Sequence, residues 1–299
     1  MATYLGYLFY LAVSKFVCAV PERTGYWMAR VLGFLRYHQF HSGRRAVDEN
    51  MKVVLDDRYT PARARAIAKK SMLNFAKNVV EIFRMPVLGP SFYRERCRLV
   101  GSEHLDTCLE RGRGAIFLSA HLGNWELAVS VYAARGHKVA IIALPHGHPK
   151  TTELFVSQRL AKGMATLHTE VAARPALRIL RNNGILGCLG ERRTAEEGLR
   201  VKFFDREVVF PKGPAWLAVH SGAGIIPSIC LRRPDDTFII YSAPPIFPPD
   251  EGTPEEKMLT MTQRFANFVE RNVRKHPEQW ATFYPYWGEG PPDLLRAQG

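Results

Sequence analysis

The chain predicts an α/β fold in which a central mixed or parallel sheet is flanked by helices, and three observations carry that prediction. Short apolar runs recur at residues 114–120 (GAIFLSA), 138–144, 184–190, 224–232 and 237–242. Stretches with helical spacing separate them, which is the alternation expected of strands lying side by side under a helical cover. The first forty residues read differently from the rest, as an apolar and then cation-studded pair of helices. The organisation predicted is therefore a membrane-anchoring or interfacial appendage over residues 1–40 and one catalytic domain over residues 41–299.

Taken in order, residues 3–20 (TYLGYLFYLAVSKFVCAV) hold a single charge, Lys15. As a helix, about 18 residues at about 1.5 Å per residue reach roughly 27 Å, close to the hydrocarbon thickness of a bilayer. No positive charge precedes the run and no clear cleavage site follows it, so an uncleaved anchor fits better than a signal peptide. Pro21 ends the segment. Residues 25–40 then place Trp27, Met28, Val31, Leu32 and Leu35 at helical spacing with Arg30 and Arg36 between them, an interfacial pattern. Arg23, Arg30, Arg36, Arg44 and Arg45 all follow the apolar run, so a spanning helix would leave the body of the protein in the cytoplasm. A buried pair of N-terminal helices has the same pattern.

Residues 61–85 form an amphipathic helix with proline in its first turn. Further helices are expected near 124–135, 151–163, 173–182 and 212–222, and a last long one over 254–275. The proline-rich stretch 242–254 is a surface connector.

Of the 299 residues, 46% are hydrophobic, the composition of a folded chain. The net charge of +13 and a pI near 9.7 favour anionic partners such as nucleic acid, anionic lipid, a phosphorylated glycolipid or an acidic carrier protein. Five scattered cysteines without a C-x-x-C pair suggest neither a disulfide framework nor a zinc site, and a body facing a reducing compartment is the simpler reading. His146 and His148 share a loop without a third ligand, so no metal is expected. There is no P-loop, no H-E-x-x-H and no G-x-S-x-G, and the lone G-x-G precedes its strand instead of following one.

The chemistry concentrates in AHLGNWELAV, residues 120–129, where a strand ends and a helix begins. Gly123 permits a tight turn, Asn124 is a good helix cap, and Glu126 in the first helical turn can fold back towards His121. A histidine beside a carboxylate deprotonates a hydroxyl: the carboxylate fixes the tautomer while the other ring nitrogen takes the proton. A histidine capping a helix beside a surface glutamate has the same spacing. Lys212 and Gly213 open another helix whose free N–H groups suit a phosphate, although an exposed lysine at a helix entry reads identically.

The stretch GRGAIFLSAHLGNWE (112–126) resembles the signature of the lipid A biosynthesis acyltransferases, the bacterial late lauroyl and myristoyl transferases and their relatives that acylate phosphatidylinositol mannosides. Its H-x-x-x-x-E is similar to the H-x-x-x-x-D of glycerolipid acyltransferases, whose fold the resemblance implies. The likeness extends to RRAVDENM (44–51), VGSEHL (100–105), SQRLAKG (157–163), LRILRNNGILGCLGERR (177–193), residues 201–227 and HPEQW (276–280). The resemblance implies His121 as general base, Glu126 as its orienting partner and Arg159 as an aid that holds an anionic or carbonyl oxygen. It further implies acyl transfer from acyl carrier protein or CoA to a hydroxyl of an anionic glycolipid such as a lipid A precursor. The setting would be the cytoplasmic face of the inner membrane, with no cofactor and no nucleic acid.

Two departures bear on the acceptor. Glu191-Arg192-Arg193 stands where the family commonly has Asp-Gln or Asp-Arg-Asp, and ATFYPYWGEG follows the tryptophan of HPEQW where a basic cluster is usual. Asn124, Glu191, Arg192, Lys212 and Gly213 are expected to face substrate. An acyl thioesterase would use the same histidine and carboxylate with water, and a non-enzymatic basic protein binding membrane or nucleic acid would account for the charge without using HLGNWE.

Overall fold

A computed structural model describes residues 2–192 and 198–288. Four helices come first: α1 (Ala2–Ala19), α2 (Glu22–Gln39), α3 (His41–Leu55) and α4 (Pro61–Arg84). Two of the three breaks have a local cause. Pro21 separates α1 from α2, and Thr60 caps α4 by accepting the Arg63 N–H at 3.2 Å, with Pro61 in the first turn. The face of α2 that lies on α4 carries Gly25, Ala29 and Gly33, and a side chain at Gly33 would meet the Leu73 backbone at 3.1 Å. Small residues there let the two helices approach closely.

The α/β body follows in the order α5 (Pro90–Arg96), β1 (Cys97–Val100), α6 (Glu103–Glu110), β2 (Ala115–Ser119), α7 (Trp125–Ala133), β3 (Val139–Ala143), α8 (Pro149–Leu160), β4 (Met164–His168), α9 (Ala173–Arg181) and β5 (Ile185–Leu189). It continues with β6 (Leu199–Phe203), β7 (Arg206–Phe210), α10 (Gly213–Ser221), β8 (Gly224–Arg232), β9 (Phe238–Ser242) and α11 (Pro254–Lys275). Seven strands form one sheet in the order β1-β9-β8-β2-β5-β3-β4, parallel at every pairing except β8 with β9. The sheet is mixed and mostly parallel, and helices cover both faces. Along β2, Ile116 and Leu118 face the core beneath α9, α10 and α11, while Ala115 and Phe117 face the core beneath α6 and α7. Burial on both sides is why this strand reads as an unbroken apolar run.

The five strands and the helices expected from the sequence form within one or two residues of their expected ends, apart from α2, which opens three residues early at Glu22, and α8, which opens at Pro149 and ends at Leu160. The strands β1 and β4 and the β6–β7 hairpin were not anticipated. The hairpin turns at Phe204 and Asp205, both with positive φ, although neither is the glycine that usually marks such a turn. It is held from outside: Phe204 N–H donates to Glu270 at 2.6 Å and Lys202 N–H to Gln263 at 2.8 Å, both on α11.

Among the described residues no helix is long and apolar enough to cross a membrane. Instead α1 packs along α4 and α8, with Val17 buried and Ser14 accepting a hydrogen bond from Gln158 at 3.2 Å. The outward face of this helix pair nonetheless remains apolar: Leu5, Phe9 and Phe16 of α1 and Trp27, Val31, Phe34 and Leu35 of α2 are exposed.

Two substitutions test this account. Phe265 of α11 is 1% exposed within the core over the sheet, so Phe265→Ala should cost about 3–5 kcal/mol of stability, read as a lowered denaturation midpoint. Gly123 has φ +69°, and a Cβ there would lie 1.9 Å from the Cys230 carbonyl oxygen. Gly123→Ala should therefore lose about 1–2 kcal/mol from the backbone conformation alone, with the clash adding to it in the same denaturation measurement.

Candidate active site

Ligands in open α/β sheets bind beyond the carboxyl ends of the strands. Here β2 and β5 are adjacent and in register, Ser119 opposite Leu189, and Gly190 N–H extends the ladder to the Ser119 carbonyl at 3.0 Å. Two residues past each of those strand ends stand His121 and Glu191. Their side chains meet: His121 Nδ1 lies 2.6 Å from Glu191 Oε1, and the same oxygen accepts the His121 backbone N–H at 3.0 Å.

Glu191 is fully buried, while the His121 side chain keeps 15% of its surface. Burial alone would push the Glu191 pKa up, but His121, the Arg192 guanidinium and the backbone N–H outweigh it and hold the carboxyl below its usual value. Burial, and then the charge of Arg192, lower the His121 pKa beneath its ordinary 6.5. An ionised Glu191 places the ring proton on Nδ1, leaving the lone pair on Nε2. The ring is set at its edge against Trp125, with centroids 4.8 Å apart.

The carboxylate expected on His121 is thus a different one. Glu126 is engaged in a bidentate pair with Arg159, at 2.6 and 3.1 Å, with both side chains buried. The local H-x-x-x-x-E spacing put Glu126 on the first turn of α7, but the arginine of α8 satisfies it there. Arg159 correspondingly holds a carboxylate of its own chain instead of standing free for a substrate oxygen.

Asn124 caps α7 as its position predicts, accepting the Leu127 N–H at 3.2 Å. It is not arranged to face substrate: its amide nitrogen donates inward to Glu81 at 2.5 Å, and the residue is 1% exposed. Nor can the buried Glu191 reach an acceptor directly. Arg192 donates to the Ala281 carbonyl at 2.5 Å and lies against the Tyr284 ring, which places it where the C-terminal segment crosses the site. Arg193 lies outside the described residues. Lys212 and Gly213 stand at the start of α10, a separate element from the β2 and β5 ends. His146 stacks on Phe155 and His148 caps α8.

Sequence reasoning did not find what holds the His121 turn. Arg232 makes a bidentate pair with Glu81 at 2.6 and 2.7 Å and donates to Asn78 Oδ1 at 2.8 Å, while Asn78 Nδ2 donates to the Gly123 carbonyl at 2.7 Å. Gly123 N–H donates to the Gln279 carbonyl and Ala281 N–H to the His121 carbonyl, at 2.9 and 2.8 Å. The C-terminal segment is fastened in turn by Asn50, whose side chain donates to the Tyr284 carbonyl and accepts the Tyr286 N–H, each at 2.9 Å. Tyr286 donates its hydroxyl proton to the Glu191 carbonyl. Only the partnership of Glu191 left a trace in the sequence: GILGCLGE repeats the pattern of AIFLSAH, an apolar strand followed two residues on by a titratable group.

A strand-edge imidazole with a buried carboxylate behind it suits removal of a proton from a hydroxyl. Comparison with known proteins agrees in class. The model of the bacterial lipid A biosynthesis acyltransferase family matches residues 1–289. The phosphatidylinositol mannoside acyltransferase of Mycobacterium tuberculosis is 27% identical over 272 residues, which span 88% of this chain and 83% of that protein. The protein of the same name from Mycolicibacterium smegmatis is 26% identical over 238 residues, 78% of this chain and 76% of its own length. With a match that runs over nearly its whole length, the chain belongs to the bacterial lipid A biosynthesis acyltransferase family and is an acyltransferase.

Proposed function

We propose that the protein transfers a fatty acyl group from a thioester, carried by acyl carrier protein or CoA, to a hydroxyl of an anionic glycolipid at the cytoplasmic face of the inner membrane. The observation that carries the reading is the 2.6 Å contact between His121 Nδ1 and Glu191 Oε1 at the ends of two paired strands. Family membership supplies the reaction class. The acceptor class rests on the names of the relatives, which act on phosphatidylinositol mannosides.

In this mechanism Nε2 of His121 takes the proton from the acceptor hydroxyl as its oxygen bonds to the thioester carbonyl carbon. The resulting tetrahedral oxyanion collapses, the C–S bond breaks, and the imidazolium returns the proton to the departing thiolate. Glu191 keeps the ring in the productive tautomer and stabilises the imidazolium. Arg192 helps keep the resting imidazole unprotonated, and so able to accept a proton, at neutral pH. The Glu126–Arg159 pair ties α8 to α7 beside the ring. Lys212 and the start of α10 are assigned to a phosphate of the acceptor. The thioester is itself the activated group, so the reaction needs no metal or cofactor.

The exposed apolar side chains of α1 and α2, interleaved with Arg23, Arg30 and Arg36, are the surface we assign to the membrane. Aromatic and aliphatic groups on one side with arginines between them suit an interfacial helix pair.

The reading makes two predictions. Lipid mass spectrometry of cells lacking the gene should show one glycolipid short of a defined acyl mass, restored by the wild-type gene but not by His121→Ala or Glu191→Gln. In the purified enzyme each change should lower kcat about 10²–10⁴-fold. An unchanged lipid profile, or Glu191→Gln complementing fully, would defeat the reading, and thioester loss independent of any acceptor would mark a thioesterase. The pH dependence is the second. Activity requires neutral His121 and falls as pH drops through its pKa, which burial and Arg192 depress below 6.5. Arg192→Gln removes one depressing charge, so the acidic limb of the kcat/KM profile should move to higher pH.

A further inference from the structure

One motif of the sequence has no part in the mechanism above: the arginine pair of RRAVDENM. In the fold it borders a cleft of about 660 Å³ between the end of α2, the first turns of α3 and the start of α4. Arg44, Arg45 and Arg65 line it together with His41, Tyr37 and one carboxylate, Asp48, above a floor of alanine side chains. The size is that of a small-molecule site.

The charge of the cleft is unbalanced. Asp48 is already engaged, accepting from the Tyr59 hydroxyl at 2.9 Å and lying 3.7 Å from Lys52. Arg44 is directed onto the Tyr37 ring, 5.1 Å from its centroid, and contacts His41. Arg45 and Arg65 are exposed and form no ion pair among the described residues. Two free guanidinium groups facing one cavity are what a phosphate requires, because each presents planar, paired N–H donors to its oxygens.

Position narrows the ligand. Tyr37 stands two residues past the exposed apolar Phe34 and Leu35 of α2, so the cleft opens where the apolar face ends. If that face lies in lipid, the cleft stands at the depth of the headgroups. It is also connected to the site: Asn50, six residues or about 9 Å of helix beyond Arg44 on α3, is the residue that fastens the segment over Glu191.

We propose that this cleft binds the phosphate of an anionic lipid headgroup in the bilayer, with Arg45 and Arg65 as its anion-binding groups. The inference rests on the membrane-facing reading of α1 and α2, and its test reads binding and not acyl transfer. The full chain is compared with Arg45→Gln/Arg65→Gln and with a control of equal charge change on the exposed face of α9, Arg174→Gln/Arg178→Gln. Each is titrated with vesicles of phosphatidylcholine containing either phosphatidylinositol or, at matched surface charge, oleate.

The wild type should prefer phosphatidylinositol, and the cleft variant should lose affinity for it by roughly ten- to thirtyfold, as two cations near an anionic surface imply. The control should bind like the wild type. The proposal is overturned if the cleft variant binds as the wild type does, if the control loses as much, or if the wild type ignores the difference between the two lipids. Inorganic phosphate that displaces vesicles far better than chloride at equal ionic strength would make the cleft a free-phosphate site instead. A water-soluble dibutanoyl phosphatidylinositol, titrated without vesicles, separates the cleft from the membrane reading. If vesicles fail but this ligand binds in an Arg45- and Arg65-dependent way, the cleft stands and the membrane reading falls. If neither binds, both fall.

Discussion

The bidentate pair of Arg232 with Glu81 is the interaction on which the rest of the site depends. Both side chains are almost wholly removed from solvent, at 4% and 2% exposure, and buried charges of this kind are retained by pairing and further hydrogen bonds. The partners recruited are Tyr26 of α2, Asn78 of α4, Asp236 beyond β8 and Asn124 at the start of α7. One ion pair thereby joins the N-terminal helices, the antiparallel side of the sheet and the turn that carries His121. Removing one partner of a pair so buried typically costs about 3–5 kcal/mol, because the other charge is left buried and uncompensated.

With the turn fixed, the placement of His121 and Glu191 follows from strand register. Parallel neighbours end at the same edge of a sheet, and in-register neighbours end at the same height. The residues two past the ends of β2 and β5 therefore meet whatever the distance between them along the chain. The edge is then closed by residues 279–286, which bond to the turn on one side and to Glu191 and Arg192 on the other. That closure keeps Glu191 dry, and a dry carboxylate can orient an imidazole without competition from water.

The excess of positive charge divides in the same way. Lys77, Arg159 and Arg232 are buried and paired with carboxylates, so they belong to the framework of the fold. The exposed arginines of α2, α3, α4 and α9 set the field around the molecule. A bare count of charges merges these two populations, although only the second can meet an anionic partner.

What the sequence by itself determined is local. Apolar runs marked the buried strands, helical spacing and proline marked the long helices, and HLGNWE marked a strand-to-helix turn with a histidine, a glycine at positive φ and an asparagine cap. The β6–β7 hairpin escaped because its turn lacks glycine and is stabilised by α11, some sixty residues away. The apolar content of residues 3–20 left open whether that helix spans a bilayer or packs on the protein, because composition does not reveal that one side of it lies on α4 and α8. Only the tertiary structure decided which carboxylate serves His121. Glu126 is five residues away along the chain but turned to Arg159, whereas Glu191, at a separation of 70 residues, is brought alongside by the pairing of β2 with β5. Sequence spacing measures distance along one element, and the contact that matters here is made between two.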